Sequence, residues 1–203
     1  MKKICILDYG SGNIQSLKVS INFLDIDCKV SNSKKDIENA SHVILPGVGF
    51  YRKALEKLKK KIDLDFLNQQ IISKGKYFLG ICVGMQVLST TGSENGLSYG
   101  LNWIPGKVNK IKCKNIILPH VGWNDVNFKK HSKFLADIKL NTFYFTHSYA
   151  FKCLNKSNIL GSTFYGKTFD SIINKNNVYG VQFHPEKSQK SGLSFLKNFF
   201  KLK

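Results

Sequence analysis

A cysteine, a histidine and a glutamate in this chain are spaced so that together they could carry out nucleophilic acyl transfer. Gly80-Ile81-Cys82-Val83-Gly84 follows an apolar run and precedes a helix-like segment. That is the spacing of a nucleophile elbow, in which glycines two before and two after the central residue allow a tight, strained turn that lifts its side chain above a sheet. The same turn would put Cys82 at a helix N-terminus, where unpaired N–H groups and the helix dipole favour a thiolate. Taken alone, the pattern equally describes a small buried cysteine in a glycine turn. Gly180-Val181-Gln182-Phe183-His184-Pro185-Glu186 adds a base and its orienter. If the extended backbone continues through it, His184 and Glu186 share one side, and the carboxylate accepts from one imidazole nitrogen while the other nitrogen faces a thiol. Leu45-Pro46-Gly47-Val48-Gly49 is a third strand-end turn. Its glycines allow the amides of Val48 and Gly49 to aim at a developing oxyanion, with the Val83 amide as a further donor.

The elements that must position these turns follow from the apolar pattern. Lys3–Leu7 reads as a buried strand ending in a glycine turn, and Asn13 could cap a helix over 14–24 with Ile14, Leu17, Ile21 and Leu24 on one face. Short strands are expected at 28–30 and 42–45, a long helix at 54–67, a strand at 77–81 and a short helix from Cys82 to about Leu88. The second half is rich in β-formers at 107–118, 142–151, 159–165 and 167–173. A last buried strand at 178–183 precedes a closing helix at 192–200 with Leu193, Leu196 and Phe200 inward. The expected fold is α/β: a single doubly wound, mostly parallel sheet flanked by helices, with an added antiparallel β ribbon in the second half. One domain spans 1–203, without repeat, low-complexity tract or linker. In open parallel sheets, ligands bind at the carboxyl ends of the strands, where all three turns lie.

Composition removes other classes. With 203 residues, 42% of them hydrophobic, and with 15 Phe and 8 Tyr, the chain can bury a core and is not intrinsically disordered. No apolar run reaches the length of a membrane span. Basic Met1-Lys2-Lys3 is followed by apolar residues only to Leu7, too few for an export leader, so a cytoplasmic location is expected. Five cysteines without C-x-x-C spacing point to free thiols rather than a disulfide framework or a cysteine zinc site. The net charge of +18 would suit nucleic acid, but Arg52 is the only arginine, and dispersed lysines more often make a solvated surface. No nucleic-acid partner, membrane, metal or cofactor is expected.

The ordered set of motifs resembles the class I glutamine amidotransferases nearly end to end: Asp8-Tyr9-Gly10-Ser11-Gly12-Asn13, Leu45–Gly49, Gly80–Gln86, Pro119-His120-Val121-Gly122-Trp123-Asn124, Tyr144-Phe145-Thr146-His147-Ser148-Tyr149 and Gly180–Ser188. The resemblance implies Cys82 as nucleophile, His184 as general base and acid, and Glu186 as its orienter. It also implies a glutamine site at Gln86, Glu94, His147, Ser148 and Tyr149. Asn13, Trp123, Tyr144 and Lys187 would face a TIM-barrel synthase that takes the ammonia to form imidazole glycerol phosphate and aminoimidazole carboxamide ribotide in histidine biosynthesis. The same chemistry could instead serve a sugar-amidating synthase, and a non-catalytic nucleic-acid-binding module is the alternative of another class. Phe50, Val83, Ser89 and Thr146 depart from the usual family residues without removing a catalytic group.

Overall fold

The motif-bearing strands are among the most apolar stretches of the chain, and the computed structural model buries them on both faces, as parallel strands between helices require. It describes residues 3–129, 134–135 and 138–203; Met1 and Lys2, which entered the reading of the amino terminus and of the 1–203 domain, lie outside the described residues.

In chain order the strands are β1 (Ile4–Ile6), β2 (Cys28–Val30), β3 (His42–Gly47), β4 (Tyr77–Cys82), β5 (Thr91–Gly92), β6 (Ser98–Tyr99), β7 (Gly106–Lys110), β8 (His120–Asp125), β9 (Asn127–Phe128), β10 (Thr142–His147), β11 (Tyr149–Cys153), β12 (Ile159–Tyr165), β13 (Lys167–Lys175) and β14 (Val178–Val181). The α-helices are α1 (Ile14–Asn22), α2 (Lys34–Asn39), α3 (Tyr51–Lys61), α4 (Leu64–Asn68), α5 (Val83–Gln86) and α6 (Gln189–Lys201). The main sheet runs β2-β1-β3-β4-β14-β13-β12-β9. Its first five strands are parallel and the rest antiparallel. Beside it, β10 pairs with β8, and β11 joins a small sheet β11-β7-β5-β6. The doubly wound, mostly parallel sheet with added antiparallel strands is thus the architecture, and the chain reverses its direction of travel across the sheet between β1 and β3, the kind of switch point where α/β ligands bind.

Several expected elements are corrected by local chemistry. The helix expected over 54–67 starts earlier and splits, because the Asp63 side chain accepts from Phe66 N at 3.0 Å and caps α4 as a separate helix. The strand expected over 107–118 ends at Lys110, and Asn115, with φ 62°, turns the lysine-rich segment that follows. The expected ribbon over 142–151 breaks at Ser148 into two strands of different sheets. On α6 the inward face is Phe195, Leu196, Phe199 and Phe200, each burial contributing roughly 1.5–3 kcal/mol, while Leu193 is only half-buried. Asn13 precedes α1 but its side chain caps nothing; it accepts from Ser16 Oγ at 3.0 Å and reaches toward Glu186.

Candidate active site

Sheet register brings the three glycine turns together. β4 lies between β3 and β14, with Gly47 opposite Cys82 and Gly180 opposite Gly80. Cys82 ends β4 at φ 54°, ψ −111°, a region that costs a residue with a side chain on the order of 1–3 kcal/mol. The turn into α5 follows at once. It closes only because residue 84 is glycine: a Cβ there would overlap the Leu45 carbonyl oxygen of the neighbouring strand. The strained elbow expected from the sequence is therefore present, and it commits the Cys82 side chain to the carboxyl edge of the sheet.

His184 and Glu186 do meet, by a different route from the expected one. The extended backbone stops after β14, and Pro185–Lys187 forms a single 3-10 turn, for which a proline at the first position is already set. Within this turn His184 Nδ1 donates to Glu186 Oε1 at 2.8 Å, both side chains being buried. The carboxylate accepts only, so Nδ1 carries a proton. The other nitrogen, Nε2, is buried without a hydrogen-bond partner, and the Cys82 sulfur lies near enough for its charge to act on the ring. Burial disfavours the imidazolium, but the Cys82 sulfur and then the Glu186 carboxylate outweigh it and lift His184 to about 10. Burial acts differently on two other cysteines, pushing Cys5 and Cys153 up to about 12 and keeping them as thiols.

The sulfur opens onto a pocket of about 160 Å³ lined by Val48, Gly49, Cys82, Val83, Gln86, Glu94, Thr146, His147, Ser148, Tyr149 and His184. Every residue expected for the oxyanion and glutamine sites is in that wall. Gly49 has φ +92°, which frees the loop to turn its amides, and Ser11 Oγ anchors it by donating to the Val48 carbonyl at 2.6 Å. Glu94 is buried, which raises its pKa, and it accepts from Tyr51 N at 2.7 Å, tying the pocket to the start of α3. Gln86 is committed on its nitrogen side, with Nε2 donating to Tyr149 O at 2.9 Å and to Gln182 Oε1 at 3.0 Å. Gln182 itself, fully buried, points Nε2 at the Cys82 sulfur at 3.7 Å. Sequence reasoning gave Gln182 no role, although it stands two residues before His184, and period-two strand geometry would have put both on one side.

Of the four residues expected to face a synthase, three cluster. The Trp123 and Tyr144 rings lie 6.1 Å apart, and Lys187 Nζ sits 5.7 Å from the Tyr144 ring centre. Trp123 is 48% exposed, which excludes a core role. Asn13 reaches instead toward Glu186, its Nδ2 lying 3.5 Å from the carboxylate oxygen Oε1. The departure at Ser89 also has a cause: its buried hydroxyl pairs with Tyr51 OH at 2.8 Å.

Residues 5–202 match the family described as glutamine amidotransferase class-I. A chain from Methanococcus maripaludis named imidazole glycerol phosphate synthase subunit HisH 2 is 43% identical over 201 residues, 98% of each chain. One from Leptospira borgpetersenii named imidazole glycerol phosphate synthase subunit HisH is 36% identical over 204 residues, covering 98% of this chain and all of its own. Among solved structures, a glutamine amidotransferase from Thermotoga maritima superposes with a TM-score of 0.64 at 16% identity, over 98% of this chain and 83% of that one, a likeness of fold.

Proposed function

This chain belongs to the class-I glutamine amidotransferase family, and from that membership we propose that Cys82, His184 and Glu186 hydrolyse glutamine to glutamate and ammonia for a synthase making imidazole glycerol phosphate in histidine biosynthesis. The observation that carries the reading is Cys82 held at positive φ over the pocket, facing a histidine whose far nitrogen is fixed by a buried carboxylate.

In the reaction, the Cys82 sulfur attacks the side-chain amide carbon of glutamine. Charge passes to the amide oxygen, which the Val83 amide and the Val48–Gly49 loop receive. His184, protonated at Nε2 while Glu186 holds Nδ1, gives that proton to the departing nitrogen; ammonia leaves and a γ-glutamyl thioester remains. The now neutral Nε2 takes a proton from water, whose oxygen attacks the thioester carbon, and glutamate departs as the sulfur is restored. Glu94 and Gln86 Oε1, both acceptors in the wall, suit the α-ammonium of the substrate.

The relatives' names support a synthase as recipient of the ammonia, and a TIM-barrel partner, as the family resemblance implies, would dock over the cluster of Trp123, Tyr144 and Lys187. No helix among the described residues is long and apolar enough to cross a membrane. The test is glutamate release by wild type and Cys82→Ala, with and without a candidate synthase loaded with its ligand. The expected result is weak release from wild type alone, strong stimulation by the synthase and none from Cys82→Ala. Equal release by wild type and Cys82→Ala, or none from wild type with a competent synthase, would contradict it.

A further inference from the structure

Buried amides and imidazoles beside the pocket form a connected set whose hydrogen bonds can be assigned one by one. His147 Nδ1 lies 2.9 Å from Tyr149 O. A carbonyl only accepts, so Nδ1 holds the proton and Nε2 of a neutral His147 must accept. It does so from His120 Nδ1 at 3.1 Å. His120 Nε2 is then the acceptor, and Asn124 Nδ2 donates to it at 3.2 Å and to Phe164 O at 3.0 Å. Burial keeps both rings neutral, pulling His120 to about 4 and His147 to about 3. From the other side, Gln86 Nε2 donates to the same Tyr149 carbonyl at 2.9 Å and to Gln182 Oε1 at 3.0 Å. With its oxygen so occupied, Gln182 has one orientation, which aims Nε2 at the Cys82 sulfur, 3.7 Å away. Two runs of donors thus converge on the Tyr149 carbonyl, one from Asn124 on β8 through His120 and His147 and one from Gln86, and Gln86 also orients Gln182 toward the nucleophile.

We propose that Gln182 is a further catalytic residue: its side-chain N–H holds the Cys82 sulfur as thiolate in the resting site, and Gln86, anchored on the Tyr149 carbonyl, fixes the direction of that N–H. This deepens the reading of Cys82 as nucleophile and rests on it. A hydrogen bond from a neutral donor to an anion stabilises it by more than one to a neutral thiol, so the bond selectively favours the charged form. His184 supplies charge while Gln182, two residues before it, supplies direction. The other titratable groups facing the sulfur are Tyr9 from the end of β1 and, across the pocket, His147 and Glu94, with Glu186 behind His184.

The test needs neither glutamine nor synthase. Alkylation of the full chain by iodoacetamide is followed against pH, with peptide mass mapping so that only Cys82 is scored. Gln182→Met keeps the length and removes the donor; Gln182→Glu keeps an acceptor for Gln86 and turns an oxygen to the sulfur. Expected is a slower reaction at pH 7, about tenfold for Gln182→Met and more for Gln182→Glu, with the inflection moved to higher pH. A wild-type profile in either folded variant overturns the proposal. In wild type, the Gln182 side-chain amide resonances should shift at the pH of the Cys82 alkylation inflection, and amide resonances that stay still through it overturn the proposal without any variant. Because glutamate release is measured separately, failure of this inference and failure of the glutaminase reading are distinguishable.

Discussion

The two halves of the main sheet and its appendages solve different problems. The parallel half, β2-β1-β3-β4-β14, is dry: Ile4, Ile6, Val43, Ile44, Phe78, Leu79 and Val181 are all essentially without solvent contact. Its accuracy comes from close backbone contact, with the Gly84 backbone against the Leu45 carbonyl and Cys82 locked at positive φ. The β8-β10 pair alternates in and out, with Phe143 and Phe145 buried between the partly exposed Thr142, Tyr144 and Thr146. There, position is set by hydrogen-bonded side chains such as His120 and His147, and the outward residues, Val121 and Trp123, stay in solvent. The lesson is a division of labour. Rigid apolar strands fix Cys82, and a polar, two-faced ribbon both walls the pocket and leaves Val121 and Trp123 on its outer face in solvent.

That contrast can be broken from either side, and the largest effects belong to the dry half. His184→Asn keeps the fold and removes the proton shuttle, so glutamate release in the presence of synthase should fall about 10²–10⁴-fold; a loss under threefold would place the acid–base work elsewhere. Gly84→Val drives a side chain into the Leu45 carbonyl and should destabilise the chain by roughly 3 kcal/mol in urea unfolding, whereas an unchanged midpoint would mean that the elbow is loosely packed.

Effects in the ribbon are smaller and depend on pH. His120 and His147 are held neutral in the fold, below the ordinary imidazole value, so the unfolded chain takes up protons first as pH falls. Their contribution to stability is complete above about 6.5 and is lost on descent through about 4 for His120 and about 3 for His147. Urea midpoints should therefore drop between pH 7 and 5, and His120→Phe, which keeps the stacking on Phe145 and Tyr165, should remove roughly half of that slope. A slope unchanged in His120→Phe would deny the pair its role. His184 runs the opposite way: raised to about 10, its contribution is present below about 6.5 and is lost as pH rises through about 10. Smallest of all, Trp123→Ala should move stability by less than about 0.5 kcal/mol while weakening stimulation by a synthase, because the ring is half in solvent; a large loss of stability would return Trp123 to the core.

The same division decided what the sequence made legible. Dry strands announce themselves as continuous apolar runs, and the glycine spacing around Cys82 encodes its turn directly. The pairing of His184 with Glu186 was right in outcome and wrong in backbone, since a proline that resists the middle of a helix also suits the first position of a 3-10 turn. α2 escaped because six residues with one buried side chain, Ile37, leave no periodicity; its signal was local, Ser33 accepting from Asp36 N at 3.2 Å. The partners of His120, His147 and Gln182 could not be read, because a hydrogen bond between side chains 27 or 96 positions apart leaves no trace in spacing.

The central claim is that Cys82 is the attacking atom, and five free cysteines make it directly measurable. The synthase-bound chain is incubated with a glutamine analogue bearing a diazoketone in place of the side-chain amide, and the labelled sulfur is identified by peptide mass mapping alongside residual glutamate release. One label per chain on Cys82, appearing in step with loss of activity, is the predicted result; a label on Cys5, Cys28, Cys113 or Cys153, or activity lost with Cys82 unmodified, would contradict it.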